Sequence, residues 1–172
     1  FDDEDQKQKG LDYKQFWLHC VATASIAKLT AKTCKIQQSE EAFITGLLHG
    51  LGKLLLQLYL PDEYAKVFAY LERKPSTLIE AERRILGYDH THAGTWLATK
   101  WNLPKEITEV IQHYQDPFLA KQNTELAVVV NFSHIIARAL EQGSGGDPFI
   151  PTIRDDVWDY LNMDENTLKV VL

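Results

Sequence analysis

The residues most able to do chemistry in this chain are six histidines, at positions 19, 49, 90, 92, 113 and 134. His49 stands in GLLHGLGKLLL (46–56), an apolar run that also carries three glycines and Lys53. Each glycine costs about 1 kcal/mol relative to alanine in a helix interior, so their presence asks for a reason. Removing bulk where a backbone or ligand must come close is one. His19, His49, His90 and His113 fall on four different expected helices. Helices packed in a bundle can aim such side chains at one interior point. Imidazoles so gathered suit zinc, iron, nickel or copper. Phosphoester hydrolysis on hard cations also needs carboxylates, and here the places for them are blank. Gly50 follows His49, Asn131 offers only a neutral oxygen, and Asp89 beside His90 is expected to cap a helix.

His92 and His134 are read as structural or exposed. Cys20 adjoins His19, but neighbouring helix residues point about 100° apart, which excludes a Cys–His nucleophile. Trp17, Trp96, Trp101 and Trp158 are expected to anchor the core, and GSGGDP (143–148) to be a flexible connection.

The elements that must position these groups are helices. Apolar residues recur at three- and four-residue spacing over 12–34 and again over 39–58. Pro61 opens a helix to about Leu71. Thr77 and Glu80 form a capping box for a helix that Gly87 stops. Asp89 caps the segment from His90 to Trp101, Pro104 opens another to about Tyr114, and Asp116-Pro117 breaks the chain. Residues 125–141 read as a helix despite the β-branched run Val128 to Val130, and two short helices follow, the last capped by Asp164. The fold class is therefore all-α: a compact bundle of about eight to ten helices. Residues 1–10 read as a linker or arm, and 11–172 as one helical domain.

Of the 172 residues, 18 are basic and 24 acidic, a net charge of −6 without a basic stripe, which argues against duplex nucleic acid as a partner. Cys20 and Cys34 form no CxxC pair, so a disulfide framework or cysteine-based zinc site is not expected. Reduced thiols fit a cytoplasmic setting. No apolar run is read as approaching the ~20 residues of a membrane span.

FWLHC (16–20), LLHGLGK (47–53), LGYDHTHAG (86–94), WNLP (101–104) and IQHYQDP (111–117) together resemble the HDOD domain, an output-type branch of the HD hydrolase superfamily found mainly in bacterial signalling proteins. The resemblance spans roughly residues 11–142. It places His19 at the first histidine of the metal-binding pattern and His49 at the histidine of the His-Asp doublet, with Gly50 where the aspartate should be. Lys53 matches the lysine that follows. His90 and His113 match later histidines, and Asn131 lies where the last aspartate would fall. The resemblance further implies a missing N-terminal helical portion. It points to a non-catalytic regulatory module with no cofactor and no bound metal. Its partner would be another protein or a fused signalling domain, with a small nucleotide or anion as a possible ligand. Two alternatives stay open: a metal-dependent phosphohydrolase using the surviving histidines, and an anion sensor without turnover.

Overall fold

The computed structural model describes residues 10–171. The expected linker 1–10 falls almost wholly outside them. Within them lie ten α-helices, one 3₁₀ turn and no β-strand: α1 (Tyr13–Thr33), α2 (Ser39–Leu48), α3 (Leu51–Tyr59), α4 (Pro61–Leu71), α5 (Leu78–Leu86), α6 (His90–Lys100), α7 (Lys105–His113), α8 (Thr124–Ala139), α9 (Asp155–Leu161) and α10 (Glu165–Val171), with the 3₁₀ turn at Pro117–Leu119.

Local chemistry sets most boundaries. The Asp12 carboxylate accepts from the Gln15 amide and starts α1. Thr77 and Glu80 make the full reciprocal capping box of α5, and Gly87 closes it at φ 83°. Asp89 accepts from the amides of Thr91 and His92 at the head of α6. Asp164 caps the last helix through the Thr167 amide.

Helix α8 is the axis of the bundle. Leu126 through Ala137 are all buried, so its β-branched run packs on every side and the strand-like pattern reflects total burial. α1 crosses it with a face of small residues, Ala24, Ala27 and Ala31. The principal core lies among α1, α7, α8, α9 and α10 and includes Val110, Leu126, Phe132 and Val157. A second core joins α3, α4 and α5 through Leu56, Tyr64, Val67 and Leu78.

One expected helix over 39–58 is two. The chain breaks after Leu48, with Gly50 at φ −87°, ψ 1° opening α3. A Cβ at Gly50 would stand 2.8 Å from the Phe16 ring, so packing of α1 into the corner fixes the break. The stretch Ser39–Tyr59 is long and apolar enough to cross a membrane by length and composition, contrary to the reading above; it is 56% buried inside the bundle. Gly52 and Gly94 let α3 and α6 touch backbone to backbone: a Cβ on Gly52 would sit 1.8 Å from the His90 carbonyl oxygen. Of the four tryptophans expected in the core, Trp158 packs edge-on against Phe132. Trp17, Trp96 and Trp101 are instead 42%, 57% and 60% exposed, the first two on the outer faces of α1 and α6 and the third just past the end of α6.

Candidate functional site: a buried histidine cluster under a glycine loop

His19 from α1, His49 from the α2–α3 corner and His134 from α8 meet in the interior, each at most 4% exposed. One ring nitrogen from each lies within 4.8 Å of the others. His134 Nδ1 is 2.9 Å from His19 Nε2 and 3.2 Å from His49 Nε2. The corner explains how His49 gets there. Its Nδ1 donates to the Gly46 carbonyl at 2.6 Å, one of the oxygens that α2 leaves free at its end.

That bond fixes the protons of the whole cluster. With Nδ1–H on the Gly46 oxygen, neutral His49 presents a bare Nε2. His134 Nδ1 must then carry the proton it shares with His49 and His19. His19 Nε2 is an acceptor, so its own proton rests on Nδ1, which has no hydrogen-bond partner at ordinary length. Burial drives all three rings toward the neutral form. It lowers His19 to about 2, helped by His49, Lys53 and Arg138 nearby and opposed by a bond to the Gln142 backbone. It lowers His49 to about 3 against the bond to Gly46, and holds His134 well below its ordinary value.

A second chain of hydrogen bonds adjoins the first. Tyr64 donates to Glu82 Oε1 at 2.7 Å. Glu82 Oε2 accepts from the His90 amide at 2.9 Å and from His90 Nδ1 at 2.6 Å. His90 Nε2 takes the Tyr114 hydroxyl at 2.8 Å, and the Tyr114 ring packs edge-on against His49 and His134. Burial pushes the Glu82 carboxyl up, but His90 and its amide overcome this and hold it below the ordinary carboxylate value.

The remaining expected site residues divide. Lys53 is 2% exposed and donates to the Gly145 carbonyl at 2.9 Å. Burial lowers its proton affinity, which Glu82, Asp147 and Cys20 partly restore. Asn131 lies on the α8 face of His134 but donates to the Tyr114 carbonyl at 2.8 Å, so it anchors α7's end and fixes no histidine tautomer. Gly50 directs its absent side chain at Phe16 and Cys20, away from the rings. His113 is half-exposed and takes no part in the cluster; α7 turns the neighbouring Tyr114 inward instead. His134, read from the sequence as structural or exposed, is the third member. Its signal was available: it stands three residues beyond Asn131, one helical turn along the same face. His92 is exposed, as read. The Cys20 thiol is pushed up to about 12 by burial, which leaves it without nucleophilic character.

The loop at 143–148 is packed, contrary to its reading as a flexible connection. Gly143 and Gly145 are buried. The Ser144 amide donates to the Gln15 carbonyl at 3.0 Å. A Cβ on Gly145 would lie 2.7 Å from Lys53 Nζ and 3.6 Å from the His19 ring. The loop roofs the cluster.

The donor set decides which metal fits. Nitrogens about 2.0–2.1 Å from a tetrahedral zinc stand about 3.3 Å apart, close to the two short separations here. Three imidazoles could therefore hold a single borderline ion once His134 changes tautomer. A dinuclear hydrolytic centre does not fit. Glu82 and Asp89 are the buried carboxylates among the described residues. Glu82 is committed to Tyr64 and His90, and Asp89 to the α6 cap and to Arg83 at 2.7 Å.

The all-helical bundle thus gathers its histidines where α1, the α2–α3 corner and α8 cross. The family model for the HDOD domain matches residues 2–117, and the chain belongs to that family. The match ends before α8, so His134, Asn131 and the roofing loop lie beyond it. Among solved structures, an HDOD domain protein of unknown function from Geobacter sulfurreducens superposes with a TM-score of 0.75 at 24% identity, covering 95% of this chain and 54% of that one. A protein of Marinobacter aquaeolei VT8 named for signal transduction superposes with a TM-score of 0.76 at 22% identity, covering 98% of this chain and 38% of that one. An uncharacterized protein of Treponema pallidum (strain Nichols) is 28% identical over 139 residues, 74% of this chain and 25% of the relative's own length. The chain thus spans a quarter of that curated relative and little more than half of the first solved structure.

Proposed function

We propose that this chain is a non-catalytic regulatory module of a cytoplasmic signalling protein, acting by binding a protein partner or a small ligand through the histidine pocket. One observation carries the reading: both buried carboxylates are tied up in structural hydrogen bonds, and the doublet and final-aspartate positions are Gly50 and Asn131. Without free anionic ligands the pocket has little means to hold hard dications or to activate a water against a phosphodiester. Membership of the HDOD family and likeness to a protein named for signal transduction support the same direction. The test is hydrolysis of bis(p-nitrophenyl) phosphate with manganese, iron(II) or zinc added in turn. The expected rate equals that of His49→Ala; metal-dependent turnover that His49→Ala abolishes would overturn the proposal.

A second reading is favoured by the three converging imidazole nitrogens: a mononuclear metal centre with hydrolytic activity. It requires stoichiometric zinc binding, measured by calorimetry, together with turnover in the same assay. Binding without turnover leaves the regulatory reading standing.

A further inference from the structure

Two cations near the roof of the cluster are held in an unusual way. Lys53 is buried, and Arg138 is partly buried with its Nε buried and unpartnered. Among the described residues neither meets a carboxylate at ion-pair distance. Each is satisfied instead by a neutral carbonyl of one short loop: Lys53 Nζ donates to the Gly145 oxygen at 2.9 Å and Arg138 Nη2 to the Asp147 oxygen at 2.7 Å. They are close enough that each charge depresses the proton affinity of its neighbours. Buried cations are ordinarily paired with anions, because a neutral acceptor compensates lost hydration poorly.

The proton assignment leaves an N–H on His19 Nδ1, on a side chain 1% exposed, without a hydrogen bond of ordinary length, the Gln142 backbone being its nearby acceptor. Arg138 Nε–H is an orphan, and Lys53 has N–H groups beyond the one given to Gly145. These donors, beside two cations of which Lys53 feels Glu82 and Asp147 but neither forms an ion pair among the described residues, are the complement of an oxyanion. Gly143 and Gly146 adopt φ of 73° and 85°, so the loop turns on positions open to few other residues. Its ends are pinned by Ser144 on Gln15 and by Asp147 on the Leu78 amide, and Gly145 lies between them with its carbonyl on Lys53.

We infer that Lys53, Arg138 and His19 Nδ1 form a binding site for a phosphate-type oxyanion, over which the Gly145 and Asp147 carbonyls stand where ligand oxygens would go. Ligand entry displaces the centre of the loop and so converts anion binding into a change of the surface around residues 143–147. This rests on the reading that the pocket binds without turnover.

The test is isothermal calorimetry with inorganic phosphate against sodium chloride at matched ionic strength, with hydrogen exchange read on residues 143–147. Saturable phosphate binding at millimolar concentration is expected, with faster exchange in the loop. Lys53→Met and Arg138→Met are each expected to weaken binding at least tenfold, while Lys105→Met, on the exposed start of α7, leaves it unchanged. Phosphate binding that Lys53→Met and Arg138→Met do not weaken, or no response beyond chloride, overturns the site. Should a variant fail to fold, the wild-type exchange result decides: loop amides that phosphate leaves unchanged or protects overturn the displacement. Competition by a nucleoside monophosphate identifies a phosphomonoester as the natural source, competition by a cyclic dinucleotide a phosphodiester, and competition by neither free phosphate. Hydrolysis of the nucleotide would instead refute the regulatory reading, leaving the oxyanion site intact.

Discussion

Gly52→Ala adds one methyl group at the point where α3 meets α6. The new Cβ would stand 1.8 Å from the His90 carbonyl oxygen and 2.7 Å from the Gly94 nitrogen. The first contact is about 1.6 Å short of ordinary van der Waals separation, and both neighbours are backbone, so no side chain can swing aside. The helices must part, taking with them the His90 amide that Glu82 holds. Alanine would return about 1 kcal/mol through helix propensity. Overpacking at a rigid contact costs about 3 kcal/mol or more, and strain on the Glu82–His90 bonds adds to it. A net loss of about 2–4 kcal/mol is expected. For a chain this long that is a fall in Tm of about 5–15 °C. Urea and thermal unfolding, followed by circular dichroism and tryptophan fluorescence, measure it. Two comparisons isolate the cause. Gly94→Ala meets the Ile111 Cγ2 methyl at 2.8 Å and the Gly52 nitrogen at 3.2 Å, both milder than the 1.8 Å contact, and should lose less. Gly87→Ala meets nothing within 4 Å, but at φ 83° it should lose about 1 kcal/mol from backbone strain alone. If Gly52→Ala is as stable as the wild type, the close α3–α6 crossing is wrong, and with it the placement of His49, Lys53 and His90.

Further outcomes follow from the polar interior. His19, His49 and His134 bind protons more weakly when folded than at their ordinary value of 6.5. As pH falls below about 6.5 the unfolded chain takes up protons first, so stability falls, by up to about 1.4 kcal/mol per pH unit per histidine. The loss continues until the folded values are reached, near pH 3 for His49 and 2 for His19. Between pH 6.5 and 5 the carboxylates stay ionised. In that window urea unfolding of His134→Leu should show a slope shallower by about one proton, and equal slopes would contradict the neutral cluster. Glu82→Gln removes the charge that holds the His90 N–H groups and turns an amide NH2 onto the Tyr64 hydroxyl, and should cost about 2–4 kcal/mol. Tyr64→Phe removes one neutral bond to the same carboxylate and should cost about 1–2 kcal/mol in thermal unfolding.

The sequence by itself determined the helices, because their limits are local chemistry. Thr77 with Glu80, Gly87, Asp89, Pro61 and Pro104 each act within one turn of chain and were legible without a neighbour. It also determined that α1, the α2–α3 segment and α6 each carry a histidine on a face otherwise apolar. Only the tertiary structure decided which of those rings meet. The leucine period runs unbroken through His49 and Gly50, so nothing local marks the corner; Phe16, arriving from α1, makes it. On α7 the choice between His113 and Tyr114 is a rotation of about 100°, and it is set by how α7 seats against α8, where Asn131 holds the Tyr114 carbonyl. His134 joins His19 across a sequence separation of 115 residues. The loop at 143–147 reads as a linker because its glycines carry no pattern, and it becomes a roof only through Lys53, which lies 92 residues before Gly145. Contacts within a turn are written in neighbouring residue types; contacts between helices depend on how whole faces rotate and cross, and that is settled by packing.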